Sequence, residues 1–455
     1  MAVRRNVMNH WYDLIVIGSG AASIAAKACS EAGWNVAVVD SHPFGGTCAL
    51  RGCVPKKVYY AAGQAMDWVG RMSGKGIVPG DIRVNWNDLQ SFKRTFTNPV
   101  PEGTEQWLRS AGIDPIQGRA KFLDENTIQV NDEKYTADKF LIAAGSKPRP
   151  LQIPGAEHLI TSDQFLEREH LPGHILFTGG GYISMEFAHI AARVGAKVTV
   201  LHRNQRPLPF IEPELTDLLL KTSSEVGIDI QVNTEVQAIE KKGDGYAVTG
   251  VTDGNSNEFT ADMVVHGAGR VPDIVDMQLE NAGVDYGSHG VHVNRYLQSQ
   301  SNPDFYAAGD AAASGPPLTP VATKEGEIVA GNLLEGNHIT PEYAAIPTVV
   351  FTLPPVTSVG LTESRARELK LQFQVRQDET SEWFTSGREN IAYSGYKILV
   401  EEESDNILGA HIFGPEAQEV INIFALAISQ SIPASTLKEM IYTYPTSSSD
   451  IPSYL

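Results

Sequence analysis

Cysteine is nearly missing from this 455-residue chain: there are three, and none follows Cys53. So few exclude the disulfide framework of a secreted domain, and in a reducing compartment a close pair points to redox chemistry or metal binding before a structural staple. Positive charge is also short, with 36 Lys and Arg against 54 Asp and Glu and a net charge of −18. That balance argues against nucleic acid or an anionic membrane as partner, although a local basic pocket could still take an anionic ligand. No apolar run approaches the ~18 residues of a membrane span. The opening MAVRRNVMNHWYDLIVIGSG sets two arginines before an apolar stretch, but that stretch is only a strand long and runs into a glycine turn without a small-residue cleavage site, so it is not a signal peptide. A cytoplasmic protein is expected, starting at Met1 or Met8.

What is present is glycine, 41 residues in short clusters that resemble phosphate-approach turns. The chain is long enough for two to four domains of about 100 to 200 residues. One pattern occurs twice. Tyr12 to Asp40 reads YDLIVIGSGAASIAAKACSEAGWNVAVVD: an apolar strand, Gly18 and Gly20 in a turn, an alanine-rich helix, and a second strand ending in an acid. His174 to Arg203 repeats the order with Gly179 and Gly181 in the turn and His202 where the acid would stand. Two βαβ units of this kind predict two dinucleotide-binding domains, the glycines letting backbone approach a pyrophosphate at a helix N-terminus. Ser23 and Ser184 stand where the third glycine of the usual turn would be.

The residues after each second strand suggest which nucleotide fits. Asp40 can accept hydrogen bonds from ribose hydroxyls; His202, Arg203 and Arg206 instead offer positive charge for a 2′-phosphate, so the second unit is expected to prefer NADPH to NADH. FLIAAGSKPRPLQIPG (140–155) and VVHGAGRVPDI (264–274) read as crossings between domains, and FYAAGDAA (305–312) as a buried strand ending in Gly-Asp. From about Ala345 the texture becomes a separate α+β domain: strands, a hairpin around Ser404 to Asn406, and the apolar helix AQEVINIFALAI. Cys29, in the first alanine-rich helix, is expected in the core. For GGTCALRGCVPKK (45–57), no further His or Cys stands at ligand spacing, so no metal site is expected.

The order of glycine turn, GGTC-x4-CVPKK, second glycine turn, GAGRVP, YAAGD and IPTVVFT-x-PP-x4-GLTE resembles the pyridine nucleotide-disulfide oxidoreductases of the glutathione reductase, dihydrolipoamide dehydrogenase and mercuric reductase group. The resemblance spans nearly the whole chain. It implies an α/β fold with two Rossmann-like domains and a C-terminal α+β dimerisation domain: FAD on residues 1–147 and 271–340, NADPH on 148–270, and a homodimer formed through 341–455. It implies that Gly18, Gly20, Asp40, Gly46, Thr47, Ala144, Gly145, Gly309 and Asp310 serve FAD, with Gly179, Gly181, Tyr182, Gly269 and Arg270 also facing cofactor. Cys48 then resembles the interchange thiol that attacks substrate, Cys53 the thiol against the flavin, and Lys56 and Glu186 an ion pair near the flavin N5. A helix N-terminus and Lys56 would lower the thiolate pKa of Cys53, and Pro55 suits a first helical turn.

The pattern departs from the family at its end. Where its disulfide reductases carry His-Pro-Thr-x-x-Glu, this chain reads YPTSSSD, with Tyr444 for histidine, Ser449 for glutamate, and Asp450 one residue late. A tyrosine of pKa ~10 is a poor base at neutral pH beside a histidine of ~6.5, and general acid-base help is worth about 10²- to 10⁴-fold. Glutathione reductase has an arginine for the substrate carboxylate where this chain has Glu327, and Lys27 or Ala28 stands at a second substrate-facing position. The expected activity is NADPH-dependent reduction of a low-molecular-weight disulfide other than plain glutathione disulfide. Two alternatives remain: reduction of a quinone, oxygen or a metal ion, and a low-turnover redox sensor. Tyr444→His is expected to raise glutathione disulfide turnover only when combined with Glu327→Arg; equal steady-state rates for the single and double variants would remove Glu327 from the argument.

Overall fold

The computed structural model describes residues 10–455; the expected start at Met1 or Met8 lies outside the described residues. The short β-branched runs become strands and the alanine-rich run a helix, as their composition favours. YDLIVI falls in the strand Trp11–Ile17, VAVVD forms Val36–Asp40, and between them a 3-10 turn, Ala21–Ser23, leads into the helix Ile24–Glu31.

These elements belong to a first compact unit made of the chain up to Lys56, Phe92–Arg149 and Arg270–Tyr343. Its sheet runs Ile113–Gln117, Val36–Asp40, Trp11–Ile17 and Glu133–Ile142 in parallel, and Phe305–Ala307 also pairs parallel with Glu133–Ile142. Thr127–Val130 and Ala120–Phe122 extend it antiparallel. Alternate residues feed opposite faces: Leu14, Val16, Val36 and Val38 pack with Ala22, Ala25 and Cys29, while Ile15, Ile17, Ala37 and Val39 pack with Phe122, Phe140 and Phe305. Cys29 is buried as expected, and burial pushes its thiol pKa up to about 12.

A second unit comprises Lys57–Ser91, Pro150–Gly269 and Ala344–Leu455. The second βαβ pattern becomes His174–Thr178, the helix Tyr182–Arg193 and Lys197–Leu201, within a parallel sheet ordered Ile228–Gln231, Lys197–Leu201, His174–Thr178, Met263–His266. The C-terminal region forms a five-stranded antiparallel sheet whose predicted hairpin is Gly395–Glu401 with Ile407–Phe413, covered by the helix Ala417–Ser429. Two of the boundaries between units, after Arg149 and before Arg270, fall in the proline-bearing crossings, whose segments Ser146–Pro148 and Arg270–Pro272 pair antiparallel with each other.

Within the second unit a buried cation joins the nucleotide-turn half to the C-terminal sheet. Lys397 Nζ lies 2.7 Å from Glu214, 2.8 Å from Glu363 and 3.1 Å from Glu212. His411 beside it is held neutral by burial and donates Nε2–H to the Leu361 carbonyl at 3.1 Å. Hydrogen bonds from Lys397 and Arg367 hold the Glu363 carboxyl below its usual pKa, so its contribution is present above the unfolded value and is lost as pH falls through the depressed one. The Lys397 ammonium is raised despite burial, by the three carboxylates, so its contribution is present below the unfolded value and is lost only as pH rises through the raised one. Lys397→Met is expected to cost about 3–5 kcal/mol, because it strands the buried Glu212 carboxylate, in urea unfolding of the purified protein at neutral pH.

Candidate functional site

The first glycine turn is built by close backbone contact. Gly18 has φ +110°, and a Cβ there would stand 2.1 Å from the Ala143 carbonyl oxygen. Gly46 has φ +72°, and its Cβ would stand 2.5 Å from the Gly20 Cα. Asp40 braces the turn: Oδ2 accepts from the Ser19 N–H at 2.9 Å and the Ser19 hydroxyl at 2.6 Å, while Oδ1 accepts from the His42 N–H at 2.8 Å. Of the expected FAD residues, Gly18, Gly20, Asp40, Gly46, Thr47, Ala144 and Gly145 line one cavity. Its donor set fits a dinucleotide: a glycine cradle that admits no side chain, a carboxylate for ribose, and the cations Arg51 and Arg119.

Arg119, Asp273 and Met277 also line this cavity and were not singled out in the sequence. Arg119 forks onto Asp273 at 2.8 and 3.0 Å, and Lys147 reaches the same carboxylate at 2.9 Å. Only the glycine before Arg119, at the entrance to a strand, hinted at a cofactor approach. Asp310 lies in the 3-10 turn Gly309–Ala311, where its Oδ2 accepts from the Ser146 hydroxyl at 2.7 Å; Ser146 in turn accepts from Arg270 Nε at 2.9 Å. Arg270 is thus tied to the first unit and orients Asp310 through Ser146, a residue that sequence reasoning missed.

Cys48 sits on the helix Gly46–Arg51 and Cys53 begins the helix Cys53–Arg71; both are free thiols in this structure. The two are in contact. A hydrogen bond to Cys53, and then burial, push the Cys48 thiol well above its ordinary pKa, against a smaller opposing effect of Thr319. Cys53 Sγ lies 3.7 Å from the Thr319 hydroxyl, at the first residue of the helix Thr319–Glu335. Contact with Cys53 thus favours the protonated form of Cys48, while Cys53 stands at a helix start beside Thr319. Lys56 and Glu186 are each buried, and Glu186 Oε1 accepts from the Phe351 N–H at 2.9 Å.

The second turn repeats the design. A Cβ on Gly179 (φ +92°) would stand 2.6 Å from the Gly267 carbonyl oxygen, and Gly181 is also close to that oxygen. Ser184, at the missing third glycine, is accommodated because residue 267 is glycine: a Cβ there would lie 1.8 Å from the Ser184 hydroxyl, which is buried without a hydrogen-bond partner. In the first turn Ser23 instead donates to the Gly20 carbonyl at 2.7 Å. The expectation that His202 supplies positive charge is corrected. Burial lowers its pKa, Nδ1 accepts from the Gly180 N–H at 3.0 Å, and Nε2–H donates to the Arg206 carbonyl at 2.8 Å, so the ring is a neutral clamp. The Arg206 guanidinium is already matched by Asp217 at 2.8 and 3.0 Å, while Arg203 is exposed. Tyr182 is partly exposed at the start of its helix, and Gly269 takes φ +102°.

Tyr444 is 80% exposed, next to Ile441 at 95%. Neither downstream residue restores the missing glutamate: Ser449 closes a capping box with Thr446, and Asp450 turns inward to accept from the Thr385 hydroxyl, burial raising its pKa. Glu327 is exposed and pairs with Lys324 at 3.0 Å; Lys27 pairs with Glu31.

Comparison with known proteins agrees with this geometry. The model of the pyridine nucleotide-disulphide oxidoreductases matches residues 12–326, and that family's dimerisation domain matches residues 346–453. Glutathione reductase of Nostoc sp. is 32% identical across 96% of this chain and 98% of that protein. Mercuric reductase of Staphylococcus aureus is 31% identical across 96% of this chain and 80% of that protein. The Cu(II) complex of the HOCl-induced flavoprotein disulfide reductase RclA from Escherichia coli superposes with TM-score 0.87 at 26% identity, covering 98% of this chain and 99% of that one.

The exchange of a glycine between positions 184 and 267 is open to a double-mutant cycle. Gly267→Ala is expected to lose about 1–3 kcal/mol of stability through overpacking, and Ser184→Gly in the same chain to restore most of it, as read by denaturant unfolding; additive losses would refute the coupling.

Proposed function

Because the chain belongs to the pyridine nucleotide-disulphide oxidoreductases, we propose that it draws electrons from NADPH through FAD into a Cys48–Cys53 disulfide and delivers them to a low-molecular-weight disulfide other than plain glutathione disulfide. An FAD-dependent oxidoreductase with NAD(P)H as donor is the family's coarser property; the substrate, the preference for NADPH, the domain limits given above and the residue roles are the proposal. The observation that carries it is the contact of Cys48 with Cys53, the latter beside Thr319 at a helix start.

FAD, when bound, supplies two-electron exchange between nicotinamide and the cysteine pair. The protein's part is positioning and proton control. Asp40 and the Gly18–Gly20 turn would hold the adenosine and pyrophosphate, Asp310 the ribityl side, and Arg203 the 2′-phosphate of NADPH. Lys56, which the family resemblance pairs with Glu186, would supply a cation near the bound isoalloxazine, and Tyr182 would cover the flavin until nicotinamide enters. In the outgoing half-reaction Cys48 gives up its proton and attacks one sulfur of the substrate disulfide; a mixed disulfide forms and the first thiol leaves carrying that proton, the second being protonated from solvent when it is released. The Cys53 thiolate then attacks Cys48 sulfur, re-forming the disulfide and releasing the second thiol, so that RSSR, NADPH and H⁺ give two RSH and NADP⁺. Tyr444, presented by a second copy through the dimerisation domain, would donate a hydrogen bond to the leaving sulfur in place of the absent histidine.

A second reading takes Cu(II) as the electron acceptor, favoured by the Cu(II) complexes of RclA. With a metal ion as substrate no thiol leaving group needs a proton, which fits the absence of an imidazole at position 444. The deciding experiment is anaerobic NADPH titration of the purified protein. A long-wavelength charge-transfer band is expected, together with turnover of part of a disulfide panel; no band and cysteines inert to alkylation would end the proposal, whereas a band with turnover of Cu(II) alone would select the second reading. Cys48→Ser is expected to keep the band and lose at least 10³-fold in disulfide turnover, the scale of removing a nucleophile; wild-type turnover in that variant would contradict the roles of the two thiols.

A further inference from the structure

Glu325 is 1% exposed and has no part in the chemistry described so far. It lies six residues into the helix Thr319–Glu335, on which Thr319 faces Cys53. Its Oε2 accepts from the backbone N–H of Gly309 at 2.6 Å. Its Oε1 accepts from the Ser314 hydroxyl at 2.8 Å, from the Tyr343 hydroxyl at 2.5 Å and, more weakly, from the Gly315 N–H at 3.4 Å. One buried carboxylate therefore gathers both ends of the loop from Gly309 to Gly315. The helix that carries it cannot shift freely, because at Gly326 a Cβ would stand only 2.5 Å from the Ala22 carbonyl oxygen in the first nucleotide turn.

The loop's functional residue is Asp310, and two supports converge on it. Its side chain is held by Ser146, and the backbone immediately before it, Gly309 in a left-handed conformation at φ +66°, is held by Glu325. We propose that Glu325 is a positioning residue for FAD: by fixing the Gly309 N–H it sets the direction in which Asp310 faces the flavin's ribityl side. This rests on the reading of Asp310 as an FAD residue. The requirement is for charge as well as shape, since all four partners are donors and an amide in place of the carboxylate would bring an N–H₂ against at least one of them.

The test is FAD binding to apoprotein, followed by flavin fluorescence, with melting of the same apoprotein samples as a separate measure of folding. Glu325→Gln is expected to weaken FAD binding about tenfold or more, the scale of lost charge-assisted hydrogen bonds, and to shift the midpoint potential of the bound flavin. Tyr343→Phe removes one partner of Oε1 and leaves the Gly309 contact, so FAD affinity should stay within about threefold of wild type even if the melting temperature falls. Wild-type affinity in Glu325→Gln, or equal losses in both variants that track melting alone, would overturn the proposal. Should Glu325→Gln not fold, Ser146→Ala decides: removing the other support of Asp310 should weaken FAD binding with apoprotein melting unchanged, and unchanged binding would count against the arrangement. If wild-type apoprotein takes up no FAD, the reading of the cavity fails and this inference with it; uptake by wild type and Glu325→Gln alike removes this inference only.

Discussion

The constraint on which the structure depends is the contact of bare backbone with bare backbone at the two glycine turns. At Gly18 the chain passes so close to Ala143 that no side chain fits, and at Gly179 it passes nearly as close to Gly267. In each case the close pass joins the end of one strand to the end of its parallel neighbour, Trp11–Ile17 to Glu133–Ile142 and His174–Thr178 to Met263–His266. Small atoms at these crossings keep the strand ends together, while Asp40 and His202 hold the turns' N–H groups at Ser19 and Gly180. A β-carbon at either place would separate the strands before it touched a ligand.

Local patterns explain what could be read from the chain. The two βαβ units, the hairpin closing at Ser404 to Asn406 and the apolar helix Ala417–Ser429 each arise from residues adjacent in sequence, so periodicity and glycine placement sufficed. Cys48 and Cys53 are likewise neighbours in sequence, and the structure brings them into contact. What escaped were relations across long separations. Nothing near Ser184 announces that Gly267 makes room for it, and nothing near Asp310 announces Ser146 or Glu325. His202 misled for a related reason: its residue type suggests a cation, but its charge state is set by the Gly180 N–H and the Arg206 carbonyl, which fix a neutral ring.

The proton arrangement at the cysteines and the chemistry of the C-terminus bear on one another. On the proposed reading the attacking thiol is Cys48, whose pKa is raised by contact with Cys53 and by burial, so a disulfide substrate would require its proton to move. The C-terminal residues do not present a base in the usual form: Tyr444 is an exposed phenol, and Asp450 is turned inward to Thr385. On that reading Cys48 would pass its proton to the substrate sulfur as the thiol departs, whereas an acceptor with no thiol leaving group would need no such transfer.

The fixed ring of His202 has a consequence for how such a protein changes over generations. Of the three basic residues after the strand Lys197–Leu201, His202 is part of the turn's framework and Arg206 is matched by Asp217. Arg203 alone of the three stands in solvent with neither kind of duty to the fold. On the proposed reading, the choice between two nicotinamide donors is then written at a single surface codon, and a lineage could alternate between phosphorylated and unphosphorylated coenzyme while leaving every buried contact in place.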